Sequence, residues 1–312
     1  MSMLEPTSWI WRDGEFVAWK DANVHVLSHS LQFGSAAFEG IRCYSTPRGP
    51  AIFRLREHLQ RLAVSCRIYR MDLRWSIDEL IAACCETVVR NDMPACYIRP
   101  MVMRGYGAAG MVPHESPVEV YIPCWPWGTY LGDGALEAGV DACISSWHRV
   151  APNTIPAMAK IAGNYLSGQL IKMEALANGF GEGIALSPDG MVSEGSGQNV
   201  FVVVDGAIIT PPFNGTLLAG ITRDSVETIA NDLGIPVREQ SLPREMLYAA
   251  DEIFLTGTAS EVTPVRSVDR ITVGAGRRGP ITSRVQERFL GIVRGELPDT
   301  HNWLTPVRDE RA

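Results

Sequence analysis

Met191-Val192-Ser193-Glu194-Gly195-Ser196-Gly197-Gln198-Asn199-Val200-Phe201 joins two short apolar runs through a glycine-rich turn that carries a single acid. The first run, 191–193, follows another at 183–186 across Pro188-Asp189-Gly190. The second, 200–204, leads through Asp205-Gly206 into 207–210. Successive hairpins of this kind predict a sheet-rich, largely antiparallel unit. A strand at 140–146 and a helix at 163–177 precede them, the helix carrying Leu166, Leu170 and Met173 on one face and stopping at Gly179. Helices near 223–233 and 282–294 close this half of the chain.

The preceding half interleaves α and β. Asp13-Gly14 marks a hairpin between 9–11 and 15–19, and 40–44 pairs with 51–55 across Pro47-Arg48-Gly49-Pro50. Leu59, Leu62, Cys66 and Tyr69 lie at helical spacing within 56–70. Ser76-Ile77-Asp78-Glu79 reads as a capping box opening a second helix to about 91. Strands are expected at 95–103 and 118–125. The stretch Gly128-Thr129-Tyr130-Leu131-Gly132-Asp133-Gly134 has the composition of a linker. A chain of 312 residues exceeds what one core usually holds. The expected organisation is therefore a small α/β domain over 1–127, an interdomain loop over 128–136 and a large sheet-rich domain over 137–312.

Composition narrows the function classes. The net charge of −7 argues against nucleic-acid binding. No apolar run reaches membrane-span length, and residues 1–14 lack the layout of a signal peptide, so no membrane partner and a cytoplasmic location are expected. Seven cysteines without Cys-x-x-Cys spacing fit buried thiols in a reducing compartment and supply no metal site. His25 and His29 lack the intervening glutamate of a metalloprotease motif. Gly105-Tyr106-Gly107-Ala108-Ala109-Gly110 matches a dinucleotide fingerprint, but Pro113 and Pro117 forbid the helix it needs.

Lys160 draws attention because lysine is scarce. Only Lys20, Lys160 and Lys172 stand among 28 basic residues, and Lys160 lies in the small and apolar segment Asn153-Thr154-Ile155-Pro156-Ala157-Met158-Ala159-Lys160-Ile161-Ala162-Gly163-Asn164-Tyr165. A lysine kept where arginine serves elsewhere points to amine chemistry, since a desolvated ammonium sheds its proton and can form a Schiff base. A lysine snorkelling from a helix start reads the same segment equally well, so the segment alone leaves both open.

Lys160 and the Glu194 segment together resemble the fold-type IV, pyridoxal-phosphate-dependent (class IV) aminotransferases, most closely the branched-chain amino-acid aminotransferases. The similarity runs in order through Phe38-Glu39-Gly40-Ile41-Arg42, Tyr97-Ile98-Arg99-Pro100, Lys160 with Gly163-Asn164-Tyr165, Ser193-Glu194-Gly195 with Asn199, Pro211-Pro212 through Gly220-Ile221-Thr222-Arg223, and Gly257-Thr258-Ala259 with Glu261. The resemblance implies an α+β or α/β two-domain enzyme, like D-amino-acid aminotransferase, with pyridoxal 5'-phosphate in the interdomain cleft. It implies a homodimer or higher oligomer whose neighbour helps close each pocket. Lys160 would be the Schiff-base lysine and proton shuttle, and Glu194 the anion that keeps the ring nitrogen protonated. Arg61, Tyr165, Leu218, Ile221, Thr222 and Thr258 would complete the cofactor site, with free amides at the helix start suiting phosphate. Phe33, Phe38, Gly40, Tyr97, Arg99, Trp127, Tyr130, Thr258 and Ala259 would bind substrate.

The implied reaction is ping-pong transfer between leucine, isoleucine or valine and 2-oxoglutarate, with amino acids and 2-oxo acids as the small-molecule partners. The same fold also implies alternatives: an (R)-selective amine or D-amino-acid transaminase, a lyase, or a binding protein without catalysis. Two departures bear on substrate range. Phe33 stands where the branched-chain enzymes commonly carry tyrosine, and the loop 104–117 does not copy their glycine pattern.

Overall fold

Asp13 and Gly14 both take left-handed backbone, with φ of 48° and 98°, and so fold the expected hairpin between β1 (Trp9–Arg12) and β2 (Glu15–Ala18). In this computed structural model, which describes residues 4–128 and 134–308, the chain divides into two compact units. The first comprises 4–128, 159–163 and 292–308; the second comprises 134–158 and 164–291. The expected linker at 128–136 therefore lies largely outside the described residues. The chain also returns to the first unit twice, at 159–163 and at its C-terminal end.

The first unit holds α1 (His29–Phe33), β3 (Ala37–Phe38), β4 (Ile41–Thr46), β5 (Gly49–Phe53), α2 (Leu55–Ile68), α3 (Ile77–Arg90), β6 (Cys96–Ile98), β7 (Met101–Arg104), β8 (Val118–Ile122) and β9 (Cys124–Trp125). One five-stranded sheet runs β2-β1-β8-β7-β3. The other runs β5-β4-β6-β9, with a C-terminal strand, Leu304–Pro306, on the free edge of β5. The single strands expected at 95–103 and 118–125 are each broken in two, and the halves belong to different sheets. The breaks fall at Arg99-Pro100 and at Pro123, where proline has no N–H for the ladder. Arg99 N–H donates to Pro123 O at 3.0 Å and pins the corner.

Ser76 and Glu79 form the predicted capping box at the start of α3. Helices α2 and α3 bury Leu55, Leu59, Leu62, Leu80, Cys84 and Val88 against Ile41, Ile52 and Ile98. Ala159 and Ile161, which flank Lys160, lie in that same core at 1% exposure each. The seven cysteines are free thiols; Cys85 is partly buried and the others are buried.

The second unit carries α4 (Ala135–Ala138), β10 (Val140–Ile144), α5 (Tyr165–Ala177), β11 (Glu182–Leu186), β12 (Val192–Gly195), β13 (Asn199–Val204), β14 (Ala207–Thr210), α6 (Ile221–Asp232), β15 (Val237–Glu239), α7 (Met246–Ala249), β16 (Glu252–Gly257), β17 (Glu261–Val268), β18 (Ile271–Thr272) and all but the last two residues of α8 (Pro280–Val293). Its nine-stranded sheet runs β12-β11-β10-β17-β16-β13-β14-β15, with β18 on β17. Pairs β10–β11, β10–β17 and β14–β15 are parallel and the rest antiparallel, so the hairpin reading holds for most of the sheet. Ile184, Val192, Val200, Val202, Ile253, Leu255 and Val265 fill its core.

Helix α5 departs from expectation. The face shared by Leu166, Leu170 and Met173 is exposed, at 61%, 40% and 65%, and the buried face is Gly168, Ile171 and Ala175. Glycines decide the orientation. Gly183 on β11 lets Ile171 and Ala175 approach the strand, and Gly168 lies so close to Ser196 O that an added Cβ would overlap it. A glycine-to-alanine change inside a helix normally stabilises by about 1 kcal/mol. Here the obstacle is backbone, and overpacking costs about 1–3 kcal/mol. Gly168→Ala should therefore lower stability in urea unfolding, whereas a raised midpoint would show that the turn at Ser196 yields freely.

Candidate active site

Lys160 is positioned by its backbone. Its N–H donates to Ser65 Oγ at 2.9 Å, on α2, and its carbonyl accepts from Phe38 N–H at 3.0 Å; Ala37 and Ile161 form a β-bridge alongside. The partly buried ammonium lies 5.0 Å from the centre of the Phe38 ring. Burial, with the Arg61 guanidinium adding to it and Glu39 opposing, pulls the amine down to about 8.

Glu39 is completely buried beside it. Oε1 accepts from Arg61 Nε at 2.7 Å, and Oε2 accepts from Arg61 Nη2 at 2.8 Å and from His58 Nδ1 at 2.7 Å. Burial would raise this carboxyl, but Arg61 and His58 outweigh it and hold Glu39 far below the usual carboxylate range. Burial also holds His58 below the usual imidazole range against the pull of Glu39. The ring donates from Nδ1 to the carboxylate.

An aromatic cage surrounds Arg99. Its guanidinium lies 4.8 Å from the Phe38 ring centre, 5.3 Å from Tyr97 and 5.6 Å from Trp125, and Trp127 packs on Tyr97 at 4.6 Å. Arg99 Nε is buried with no hydrogen-bond partner among the described residues. Gly40 makes the packing possible, because a Cβ there would coincide with Tyr97 Oη.

In the second unit, Glu194 on β12 is buried against Arg149, with Oε1 2.7 Å from Arg149 Nη2. Its Oε2 accepts from Leu218 N–H at 3.1 Å and, more weakly, from Asn199 Nδ2 at 3.5 Å; Asn199 also donates to Leu218 O at 3.0 Å. The turn leading into α6 is thus stitched to the Glu194 strand. Gly220 caps α6 without a side chain, and a Cβ on it would coincide with Asn199 Oδ1. The helix starts at Ile221, two residues earlier than expected, which places Ile221 and Thr222 in its first turn. Thr258 and Ala259 occupy the partly buried turn between β16 and β17, flanked by buried hydroxyls Thr256 Oγ1 and Ser260 Oγ that have no partner among the described residues. Tyr165 opens α5 and is partly buried.

The structure thus brings Lys160, Arg61, Phe38, Gly40, Tyr97, Arg99 and Trp127 together in one unit, and Glu194, Leu218, Ile221 and Thr222 in the other. Tyr130 lies outside the described residues. Phe33 is exposed at the end of α1, with its ring 4.5 Å from His29. Sequence reading did not single out Glu39, His58, Ser65 or Arg149. The spacing of His58, Arg61 and Ser65 on one face of a predicted helix was a usable signal for three partners of a buried acid and a neighbouring loop. No local pattern marks Arg149.

The class IV amino-transferase family model matches residues 36–268. The chain belongs to that family. Among class IV relatives, the branched-chain-amino-acid aminotransferase of Salmonella typhimurium is 53% identical over 300 residues, covering 96% of this chain and 97% of the relative. That of Pseudomonas aeruginosa is 42% identical over 308 residues, covering 99% and 100%. The crystal structure of the Escherichia coli branched-chain amino acid aminotransferase superposes with a TM-score of 0.95 at 52% identity, covering 97% of this chain and all of that one. The branched-chain amino acid aminotransferase of Thermobaculum terrenum, in its PLP-bound holo form, gives 0.91 at 34% identity, covering 98% and 100%. The two α/β units are those of a fold-type IV enzyme, and class IV aminotransferases use pyridoxal 5'-phosphate.

Removing one partner of a buried ion pair leaves an uncompensated charge and costs about 3–5 kcal/mol. Arg149→Met should destabilise the enzyme by that order, and adding Glu194→Gln should restore more than half of the loss. Additive losses in urea unfolding would show that the pair contributes no coupling.

Proposed function

We propose that this chain catalyses pyridoxal-phosphate-dependent transamination between the branched-chain L-amino acids leucine, isoleucine and valine and 2-oxoglutarate, by a ping-pong mechanism. The observation that carries the reading is the Lys160 amine: it is partly buried, fixed through both backbone groups and lowered to about 8, so that roughly half is neutral at pH 8. A neutral amine is what Schiff-base chemistry requires.

The residues present fit the cofactor. Arg61 supplies a cation, the N-terminus of α6 has no side-chain cap, and Gly220 leaves no Cβ in the turn before it. Glu194 is an acid held beside Arg149. When bound, pyridoxal phosphate supplies the electron sink that accepts the pair left as the substrate α-proton departs. Lys160 would hold the cofactor and carry that proton on Nζ. Glu194 would face the pyridine nitrogen as its counter-anion, and Tyr165 would hydrogen-bond the ring oxygen. Arg61, Ile221, Thr222 and Thr258 would bind the phosphate, with Leu218 N–H holding Glu194 in place. Phe38 and Trp127 would offer apolar walls, and Tyr97, Arg99 and Tyr130, the last outside the described residues, would form the polar side. Arg99 would meet a distal carboxylate, and the amides of Thr258 and Ala259 the α-carboxylate. The similar proteins named as branched-chain enzymes support this substrate class.

We also place the enzyme in the cytoplasm as a homodimer. The free thiols support a reducing compartment. Among the described residues no helix is long and apolar enough to cross a membrane. His29 N–H donates to Gly105 O at 3.0 Å and His29 Nε2 to Gly110 O at 3.1 Å, tying the loop after β7 to α1. Exposed Val26, Leu27, Leu31 and Phe33 are thereby gathered with exposed Met111 and Val112, the kind of apolar surface a second copy covers. Phe33 would then serve the neighbour's pocket.

Borohydride reduction followed by peptide mapping should place the cofactor on Lys160, and L-leucine and L-glutamate should each convert its absorbance faster than D-alanine or (R)-1-phenylethylamine. Label on Lys20 or Lys172 would remove Lys160 from the mechanism, and faster D-alanine would overturn the substrate class. In analytical ultracentrifugation the double variant Leu31→Glu/Met111→Glu should sediment as a monomer; a persistent dimer would put the interface elsewhere.

A further inference from the structure

Three features converge on one face of α2. His58 and Arg61, adjacent on the helix surface, both grip the buried Glu39 carboxylate, and Ser65, one turn further, accepts the Lys160 N–H while donating to Arg61 O at 3.0 Å. Glu39 follows Phe38, whose own N–H holds the Lys160 carbonyl. The acid, the guanidinium and the reactive amine are thus attached to one another through short stretches of backbone.

We propose that Glu39 is a positioning residue for Lys160, acting through Arg61: it clamps the guanidinium through two of its nitrogens and offsets part of its charge, which sets how much positive charge the amine faces. This rests on the reading of Lys160 as the reactive amine. Among the described residues, the charged and titratable groups that act most strongly on Lys160 are Arg61, Glu39, Tyr97 and Arg99, and His58 is coupled to it as well. Burial holds His58 below the usual imidazole range, which disfavours a second cation beside the carboxylate. With Glu39 ionised, its charge opposes that of Arg61 at the amine without cancelling it. Without it, the amine would face both Arg61 and Arg99 with no anion among these groups at neutral pH. The amine would then give up its proton more readily, and Arg61 would lose the partner that fixes its plane.

The sign is the test. Lys160 acetylation by acetic anhydride can be followed against pH by mass spectrometry in the full-length chain after cofactor removal. Exposed Lys20, and Lys172 held by Glu182 at 2.9 Å, serve as internal references. Glu39→Gln should move the Lys160 labelling midpoint down by about one pH unit, and Arg61→Gln should move it up by about as much. The double variant should return close to the parent, while Lys20 and Lys172 stay unmoved. A purely structural role would leave the midpoint in place or move it the same way in both single variants, and either result overturns the proposal. Should Glu39→Gln fail to fold, the direction of the Arg61→Gln shift decides alone. Borohydride mapping independently identifies the cofactor lysine, so failure of the transaminase reading and failure of this one are separable.

Discussion

Seating of the segment 159–163 in the core of the first unit is the constraint on which the site depends. Ala159 and Ile161 enter an apolar cluster, and a fully buried isoleucine contributes about 1.5–3 kcal/mol. Between them Lys160 has no choice of backbone position, because Ser65 and Phe38 take its N–H and its carbonyl. The ammonium is then drawn out of water by its neighbours' packing rather than by any preference of its own. Desolvation of this kind is tolerated because an anion stands close by, and the anion is tolerated because Arg61 and His58 satisfy it. Each expensive group is made affordable by the next, and α2 carries three of the members.

The second unit solves a similar problem with different parts. Glu194 sits on a strand, Arg149 arrives from the connection after β10, and Asn199 bridges to the turn that opens α6. Strand, turn and helix start are therefore fixed as a group. Gly220 belongs to the group because Asn199 Oδ1 occupies the place of its missing side chain.

Local signals carried much of the fold. The Asp13-Gly14 hairpin, the Ser76–Glu79 box and the chain of hairpins around Glu194 each depend on residues a few positions apart, and each formed. Features set by distant partners were less legible. Pro100 and Pro123 gave reason to break the strands at those points, but which sheet each half joins depends on pairings across the unit. The apolar stripe of α5 was read correctly as one face, yet close approach at Gly168 and Gly183 turned the opposite face inward. In the site, resemblance pointed to Lys160, Arg61 and Glu194, whereas the groups that hold them (Glu39, His58, Ser65 and Arg149) are identified by contacts between residues far apart in the chain.

The Tyr97 hydroxyl rests where a side chain on residue 40 would begin. The two positions are therefore not independent in the history of the gene. A substitution at 40 is tolerable only if the ring at 97 shrinks or moves, and that ring packs at a tilt on Trp125 and Trp127 and lies against Arg99. Drift at this wall is consequently epistatic. A side chain can enter at position 40 only with, or after, a change at position 97.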